Sequence, residues 1–520
     1  PELARLAPAE ILVSEDADVN IYKIIFDSGT ASTKMPPTFF DSEAGLKNLI
    51  EVYGDEKVSV FSELDRSDTA ALGVLIEYLS TTQKEQTPLL QLPICEAQGD
   101  FVSIDAATRR NLELTETLNG NHQGSLLFAV DRTVTGAGAR LLYHRITTPS
   151  QRIDLISERA NAVQFFCEDS GTRTAIRIAL KQLPDIERAL SRLALGRGGP
   201  RDLVAIANGT MQAIKVSQLL SEKSLPSLLN SINPDLVGHD LLSNELTTAL
   251  IPNPPILIRD GGFIDTGYSN DLDEVRALRD KARLIIAKMQ SDYSSLAEIS
   301  SLKIKHNNVL GYFIETTAAH AQRMLAPPLS ETFIHRQTTA NAVRFTTIKL
   351  GELETKILNA AGKTISLEQE IFNHLEKIVL SSAPSLQLLG TAIAEIDVAS
   401  ALSELAVSES WVKPKINSGR GFIVDQGRHP VVENALKSQS SSVFVANDCT
   451  LSSNDESIWL LTGPNMSGKS TFLRQNALIA LLAQAGSYVP ATRAEIGVVS
   501  QIFSRVGASD DLARGRSTFM

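Results

Sequence analysis

Gly463-Pro464-Asn465-Met466-Ser467-Gly468-Lys469-Ser470 fits G-x-x-x-x-G-K-[ST] without mismatch. The apolar run Ile458–Thr462 precedes it and reads as a buried strand centred on Trp459-Leu460-Leu461; Thr471–Ala483, patterned as a helix, follows it. Strand, glycine loop and helix in that order make a phosphate cradle. Gly463 and Gly468 permit backbone angles that aim successive N–H groups at phosphate oxygens. The helix N-terminus adds partial positive charge. Lys469 is placed to reach the β- and γ-phosphates, and Ser470 to offer its hydroxyl to Mg²⁺. The motif predicts ATP or ADP with magnesium as cofactors, and an α/β nucleotide domain that begins near residue 414. Hydrolysis also requires an acidic strand end to hold the magnesium and position water. The later apolar run, Ile496–Phe503, ends in Ser504-Arg505, and Asp510-Asp511 follow Ala508-Ser509, as a turn or helix cap does. The nucleotide domain therefore reads as half present, and the chain as a fragment of a larger protein that does not turn over ATP by itself.

At 520 residues the chain has room for about three to four domains. Hydrophobic residues at 43% and charged residues at 21% are ordinary for globular protein and exclude disorder and collagen. Aromatics are only 5%, which favours helix over an all-β sandwich. Two stretches with helical periodicity, Leu272–Leu302 and Ile348–Leu380, flank Leu302–Lys349, which holds the β-type run Leu310–Ile314 and the break Pro327-Pro328. A helix leaving, a β-containing tip and a helix returning describe an arm. Residues 301–350 carry 6 basic and 2 acidic side chains, net +4, in a chain whose total is 49 − 60 = −11. Lys303, Lys305, Arg323, Arg336, Arg344 and Lys349 are the candidate contacts to the phosphates of double-stranded DNA.

Residues 1–105 carry 7 basic and 19 acidic side chains, net −12. They read as a small α/β domain: strand Asn20–Asp27, helix Ser42–Val52, strand Val58–Phe61, helix Asp68–Leu79 and a closing apolar run Leu89–Cys95. Residues 106 to about 300 are mostly helical, with a breaker loop at Gly196–Asp202. Cys95, Cys167 and Cys449 are odd in number and unpaired in spacing, so neither a disulfide framework nor a zinc site is expected, and a reduced cytoplasm fits. The run Leu478–Ala485 is broken by Gln484 and far short of the roughly 20 residues a membrane span needs, so no membrane partner is expected.

Thr462 to Gln475 resembles the phosphate loop of the MutS family of DNA mismatch-repair proteins. Gly486–Ala491, Arg505–Ala513, Gly427–Val432, Phe444–Asn447, Tyr78–Lys84, Pro200–Leu203, and Arg336-Gln337 with Asn341 extend the resemblance over nearly the whole chain. Gly515–Met520 looks like the start of an ABC-type signature. The resemblance implies a multidomain, mainly helical protein with α/β ends. Residues 1–105 correspond to an RNase H-like connector that docks a MutL-type partner. Residues 106–301 and 350–413 correspond to core and lever helices, 302–349 to a clamp on duplex backbone, and 414–520 to the first part of the ATPase domain. Phe444 corresponds to the aromatic that stacks on adenine. Asn465, Lys469, Ser470 and Thr471 correspond to phosphate and magnesium contacts, and Ser517 to the signature serine that completes the partner subunit's site in a homodimer. A bacterial cytoplasmic, nucleoid-associated protein is implied.

Two departures stand out. The family's mismatch-reading domain, with its Phe-x-Glu wedge, should precede Pro1. Phe61-Ser62-Glu63 and Phe313-Ile314-Glu315 have the letters but fall in connector and clamp. The acidic pair, catalytic histidine and dimer elements of the ATPase domain should follow Met520. A MutS-like paralogue acting on recombination intermediates or stalled ribosomes is the alternative, and the presence of both connector and clamp counts against it. A generic ABC-type transporter or chromosome-structure ATPase lacks the Pro464-Asn465-Met466 signature.

Overall fold

The computed structural model describes every residue except 1, 55–60, 62–63, 84–87, 98, 308–309, 340, 439–442, 453–456, 465–466 and 506–520. It divides into two compact units: Pro1–Arg197 with Asn208–Leu241 and Ser382–Met520, and Gly198–Ala207 with Leu242–Ser381.

In the first unit, β1 (Glu10–Ser14) and β2 (Ala31–Met35) pair in parallel, with Glu10 opposite Ala31, and α1 (Val19–Ser28) joins them. The expected strand Asn20–Asp27 is thus a helix. The Asp18 carboxylate accepts from the Asn20 N–H at its start, and Gly29, at φ 71°, closes it with an N–H to Phe26 O. Isoleucine-rich sequence reads locally as strand, but two parallel strands need a crossover between them, and the caps make it helical. Helices α2 (Ser42–Tyr53) and α3 (Arg66–Gln83) match their predicted positions. They cross at Gly45 and Gly73, where a Cβ on Gly73 would lie 2.4 Å from the Gly45 Cα. The expected strand Val58–Phe61 lies outside the described residues except for Phe61, which is buried. Leu89–Cys95 forms neither helix nor strand. The chain continues through β3 (Ser103–Ile104) to α4 (Gly136–Thr147).

The second unit carries α5 (Asn270–Ala297), β4 (Lys303–Asn307), β5 (Gly311–Thr317), α6 (Ala318–Leu325), β6 (Ile334–Thr338), β7 (Ala342–Thr346) and α7 (Ile348–Ser381). With 28 and 34 residues, α5 and α7 are rods of roughly 42 and 51 Å at 1.5 Å per residue. They pack against each other, as the arm reading expects, with the sheet between them in sequence. The four strands are antiparallel in the order β4-β5-β7-β6. One sheet face buries Ile314 and Phe345 with Met324, Phe333 and Tyr293. The Tyr312 N–H donates to Glu354 Oε1 at 3.1 Å, which fixes the β4–β5 turn to α7. A Cβ on Gly311, which sits at φ 68°, would come within 1.6 Å of that oxygen, so only glycine fits. Buried Glu368 accepts from the Gly262 N–H and from Arg276 Nη2, each at 2.6 Å.

Back in the first unit, α8 (Ala383–Glu409) is apolar on all sides. Most of it is buried, the signature of a core helix. Then follow β8 (Lys415–Asn417), β9 (Phe422–Gly427), α9 (Pro430–Ser438), β10 (Asn447–Leu451), α10 (Lys469–Gln484), β11 (Arg493–Gly497) and β12 (Gln501–Ile502). The sheet order is β10-β9-β11-β8, parallel only between β11 and β8. β12 instead pairs in parallel with β3, so the single run expected over Ile496–Phe503 is divided between two sheets. Leu478, Leu481 and Leu482 of α10 share one core with Leu142 of α4 and Leu402 of α8.

The expected buried strand Ile458–Thr462 is not realised among the described residues. The segment joins no sheet, and Ile458 and Leu460 are 87% and 90% exposed. An apolar run becomes a strand only where neighbouring strands take its backbone hydrogen bonds, and no described strand pairs with it.

Candidate functional site

The Gly463–Ser470 loop closes directly onto α10. Gly468, at φ 88°, is its N-cap, and the Phe472 N–H donates to Gly468 O at 2.9 Å. A side chain at that φ is strained, which accounts for glycine there. Gly463 adopts φ 151°. The Lys469 ammonium turns back over the loop and donates to Gly463 O and Pro464 O, both at 2.6 Å, with Ser467 Oγ at 3.5 Å. The N–H groups of Lys469, Ser470 and Thr471 belong to the first turn and have no acceptor within the helix. A cation and first-turn N–H groups with no acceptor in the helix suit a polyphosphate. Ser470 is exposed, so its hydroxyl is open to a divalent cation. Asn465 and Met466 of the motif lie outside the described residues, as do Asp510, Asp511 and Ser517.

The loop forms one end of a cleft of about 820 Å³. Phe444, named from sequence, lines the same cleft, together with Val432 and Leu436 of α9. Sequence reading missed Trp459 and Phe472, which also line it and lie parallel to each other, ring centroids 6.2 Å apart and planes 3° apart. Their signal was available: an aromatic beside the loop on each side. Among the described residues, Asp448 is the carboxylate lining the cleft, and its Oδ1 already accepts from the Gln426 N–H at 2.7 Å. No group of three or more His, Cys, Asp and Glu side chains suited to a metal ion occurs among the described residues.

The far end of α10 is pinned by Gln484, a buried polar residue with its amide used in full. Nε2 donates to Ser150 O at 2.8 Å and to Val499 O at 3.1 Å, and Oε1 accepts the Val499 N–H at 2.9 Å. On one flank of the helix, His429 precedes α9 in the Gly427–Val432 motif. Burial, and then the nearby Arg474 charge, pushes its imidazole down to about 4, so it stands neutral near pH 7. Arg474 itself meets Glu113, Nη1 to Oε2 at 3.4 Å.

The six arm cations divide into two groups. Lys303, Glu315, Arg344 and Gln337 form one row across β4, β5, β7 and β6. Glu315 takes Lys305 Nζ at 2.6 Å and Arg344 Nε at 3.2 Å. These cations, Lys305 foremost, hold the Glu315 carboxyl below the ordinary carboxylate range. Arg344 also donates to Gln337 Oε1 at 2.8 Å and covers the Phe313 ring, 4.6 Å from its centroid. Arg323 pairs with Glu298. Lys305, Arg323 and Arg344 are therefore not the free cations that the sequence suggests; two carboxylates brought in by the fold, Glu315 and Glu298, pair with all three. Lys303, Arg336 and Lys349 are exposed and have no acidic partner among the described residues. Arg336 stands at a bulge between His335 and Gln337 on β6. The Phe313–Glu315 triplet lies within β5 in this sheet, and Phe313 is buried.

Three family models match this chain: MutS domain II over residues 1–91, MutS domain III over 107–403 and MutS domain V over 459–520. Among characterised proteins, the DNA mismatch repair protein MutS of Roseobacter denitrificans is 52% identical over all of this chain and 60% of its own length. Those of Paracoccus denitrificans and Ruegeria pomeroyi are 53% and 54% identical, again over the whole chain and over 59% and 60% of their own lengths. The chain thus spans about three-fifths of the length of the relatives it matches.

Proposed function

The chain belongs to the MutS family, and from that premise we propose that it is the connector, core, clamp and leading ATPase segment of a DNA mismatch-repair ATPase. In this reading Lys469 and the loop N–H groups hold the β- and γ-phosphates of ATP or ADP, with Asn465 and Thr471 as further contacts. Ser470 holds Mg²⁺, and Phe444 stacks on adenine. Ser517 completes the site of the partner subunit in a homodimer. The nucleotide segment has a P-loop, ABC-type α/β fold, and residues 1–105 are an RNase H-like connector for a MutL-type partner. Residues 302–349 clamp duplex DNA through its backbone, and the whole protein couples mismatch sensing to recruitment of repair partners in the bacterial cytoplasm. The domain II match over the connector residues, with the β4–β7 sheet in the clamp residues, weighs against the recombination or ribosome paralogue.

The observation that carries the nucleotide reading is that Phe444 and Lys469, well separated in sequence, line one cleft. Charge-assisted bonds from Lys469 and a stacking face from Phe444 predict that Lys469→Ala and Phe444→Ala each weaken binding of a non-hydrolysable ATP analogue at least tenfold, about 1.4 kcal/mol. Calorimetric titration measures this. Unchanged affinity in both variants overturns the reading.

A further inference from the structure

The helix that opens on the phosphate loop is also tied to the segment that follows the first α/β domain. Three contacts join residues 103–111 to residues 500–504. The Ser103 N–H donates to Ser500 O at 2.9 Å within the β3–β12 pair. The Ser504 N–H donates to Thr108 Oγ1 at 2.8 Å, and Asn111 Nδ2 donates to Ser504 O at 2.9 Å. The fourth contact reaches α10 itself: Arg474 to Glu113 at 3.4 Å.

Glu113 is an unusual residue for such a contact. Its backbone sits at φ 50°, in the left-handed region that a residue with a side chain seldom adopts. Surrounding bonds hold it there. Its second carboxylate oxygen, Oε1, accepts the Leu118 N–H at 2.9 Å, and its backbone O accepts the Leu126 N–H at 2.9 Å. Strain of this kind persists where the environment imposes it, and it clusters at functional and switch regions. Arg474 is equally poised. Its Nε is buried without a partner, so the guanidinium is only partly satisfied. Its other neighbour is His429, whose Nδ1 accepts the Val432 N–H at 3.4 Å at the start of α9, and Val432 lines the nucleotide cleft. Arg474 therefore stands between the cleft wall and the 101–118 segment, on the helix whose first residue is Lys469.

We infer that the Arg474–Glu113 pair is the link through which nucleotide bound at the Gly463–Ser470 loop sets the conformation of residues 101–118, with Glu113 as a positioning residue. The inference rests on the nucleotide reading above. Phosphates arriving at the loop compete with Gly463 O and Pro464 O for the Lys469 ammonium, and the start of α10 must adjust. A helix is stiff, so Arg474 moves with it. The 3.4 Å contact tightens or breaks, and Glu113 holds or releases Leu118 accordingly. Such coupling is reciprocal: whatever fixes residues 101–118 alters nucleotide affinity by the same factor.

Hydrogen exchange followed by mass spectrometry, on the 520-residue chain with and without a non-hydrolysable ATP analogue, tests the link. In the unmodified chain a saturating analogue changes amide exchange in peptides covering 101–118 at least threefold. Glu113→Gln keeps an oxygen for Leu118 but removes the charge, and Arg474→Gln removes the other partner. Each variant still binds the analogue by calorimetry, which also reports that it is folded, and each loses the nucleotide-dependent change. The double variant behaves like either single one, because the two residues form one link. A chain that binds the analogue with no change at 101–118, variants that retain the change, or single effects that add in the double variant overturn the inference. A chain that does not bind the analogue overturns the nucleotide reading instead.

Discussion

The Asp397 carboxylate caps a helix to which it does not belong: Oδ2 accepts from the Thr135 N–H at 2.8 Å and from Thr135 Oγ1 at 2.6 Å. The Val134 N–H adds a contact at 3.1 Å, and Thr135 in turn caps α4 through Gly138 N–H at 2.9 Å. Asp397 is fully buried on α8, and a Cβ on Gly138 would sit 2.2 Å from its Oδ2. A core helix thus supplies the anion that starts its neighbour.

Asp397→Ala leaves three part-buried donors without their acceptor. At about 1 kcal/mol for each, the loss is about 3 kcal/mol. Asp397→Asn keeps an acceptor oxygen and costs less. Burial pushes the Asp397 carboxyl above its ordinary value, against the hydrogen bonds from Thr135 and Val134. A carboxyl raised on folding gives stability that is present at low pH and lost as pH rises through its folded value. The deficit of Asp397→Asn relative to the parent therefore widens as pH falls from neutral toward the ordinary aspartate range, in urea denaturation followed at Trp411.

His429 predicts the opposite trend. Its folded pKa of about 4 lies below the ordinary 6.5. Between those values the unfolded chain takes up a proton that the folded chain refuses, so stability falls with acidity by about 1.4 kcal/mol per pH unit. From pH 6.5 to 5.0 this amounts to about 1.6 kcal/mol, since the slope is half as steep at 6.5, and His429→Gln removes the dependence. Urea midpoints for parent and variant at the two pH values measure it; parallel shifts show that His429 is not the titrating group.

Gly486 ends α10 at φ 85°, and a Cβ there would lie 2.4 Å from the Arg159 Cβ. Gly486→Ala combines left-handed strain with a contact between two rigid positions, so it costs about 2 kcal/mol or more. Thermal unfolding checks this, and a neutral substitution means that α10 shifts freely against Arg159.

What the sequence made legible is whatever is decided locally. The Lys469–Gln484 helix, the Asn270–Ala297 and Ile348–Ser381 rods and the basic tip follow from motif, period and charge. Phe444 was named through family likeness, and it lines one cleft with Lys469. Asn20–Asp27 misled because its Ile-rich run favours strand, whereas Asp18, Gly29 and the β1–β2 pairing make it helix. Ile458–Thr462 misled because strandness is a property of neighbours. The contacts of Glu315, Glu113 and Asp397 join residues distant in sequence, and no periodicity announces them.

Those unannounced carboxylates change what the arm should do to DNA. Six basic side chains suggest a steep salt dependence, but Lys305 and Arg344 share Glu315 and Arg323 holds Glu298. Lys303, Arg336 and Lys349 remain. If each neutralises one phosphate of duplex DNA, the slope of log K against log salt is about −0.9 × 3, near −2.7. Glu315→Gln releases two more cations, and the slope steepens toward about −4.5 with tighter binding at low salt. Contacts of this kind position a protein on the duplex without reading bases. Binding to a perfect duplex and to the same duplex with one G·T pair should therefore differ by less than about fivefold, roughly 1 kcal/mol. Fluorescence anisotropy over 50–200 mM salt measures both quantities. A slope unmoved by Glu315→Gln places the DNA contact elsewhere in the chain, and a larger preference for the G·T duplex places mismatch reading within these 520 residues.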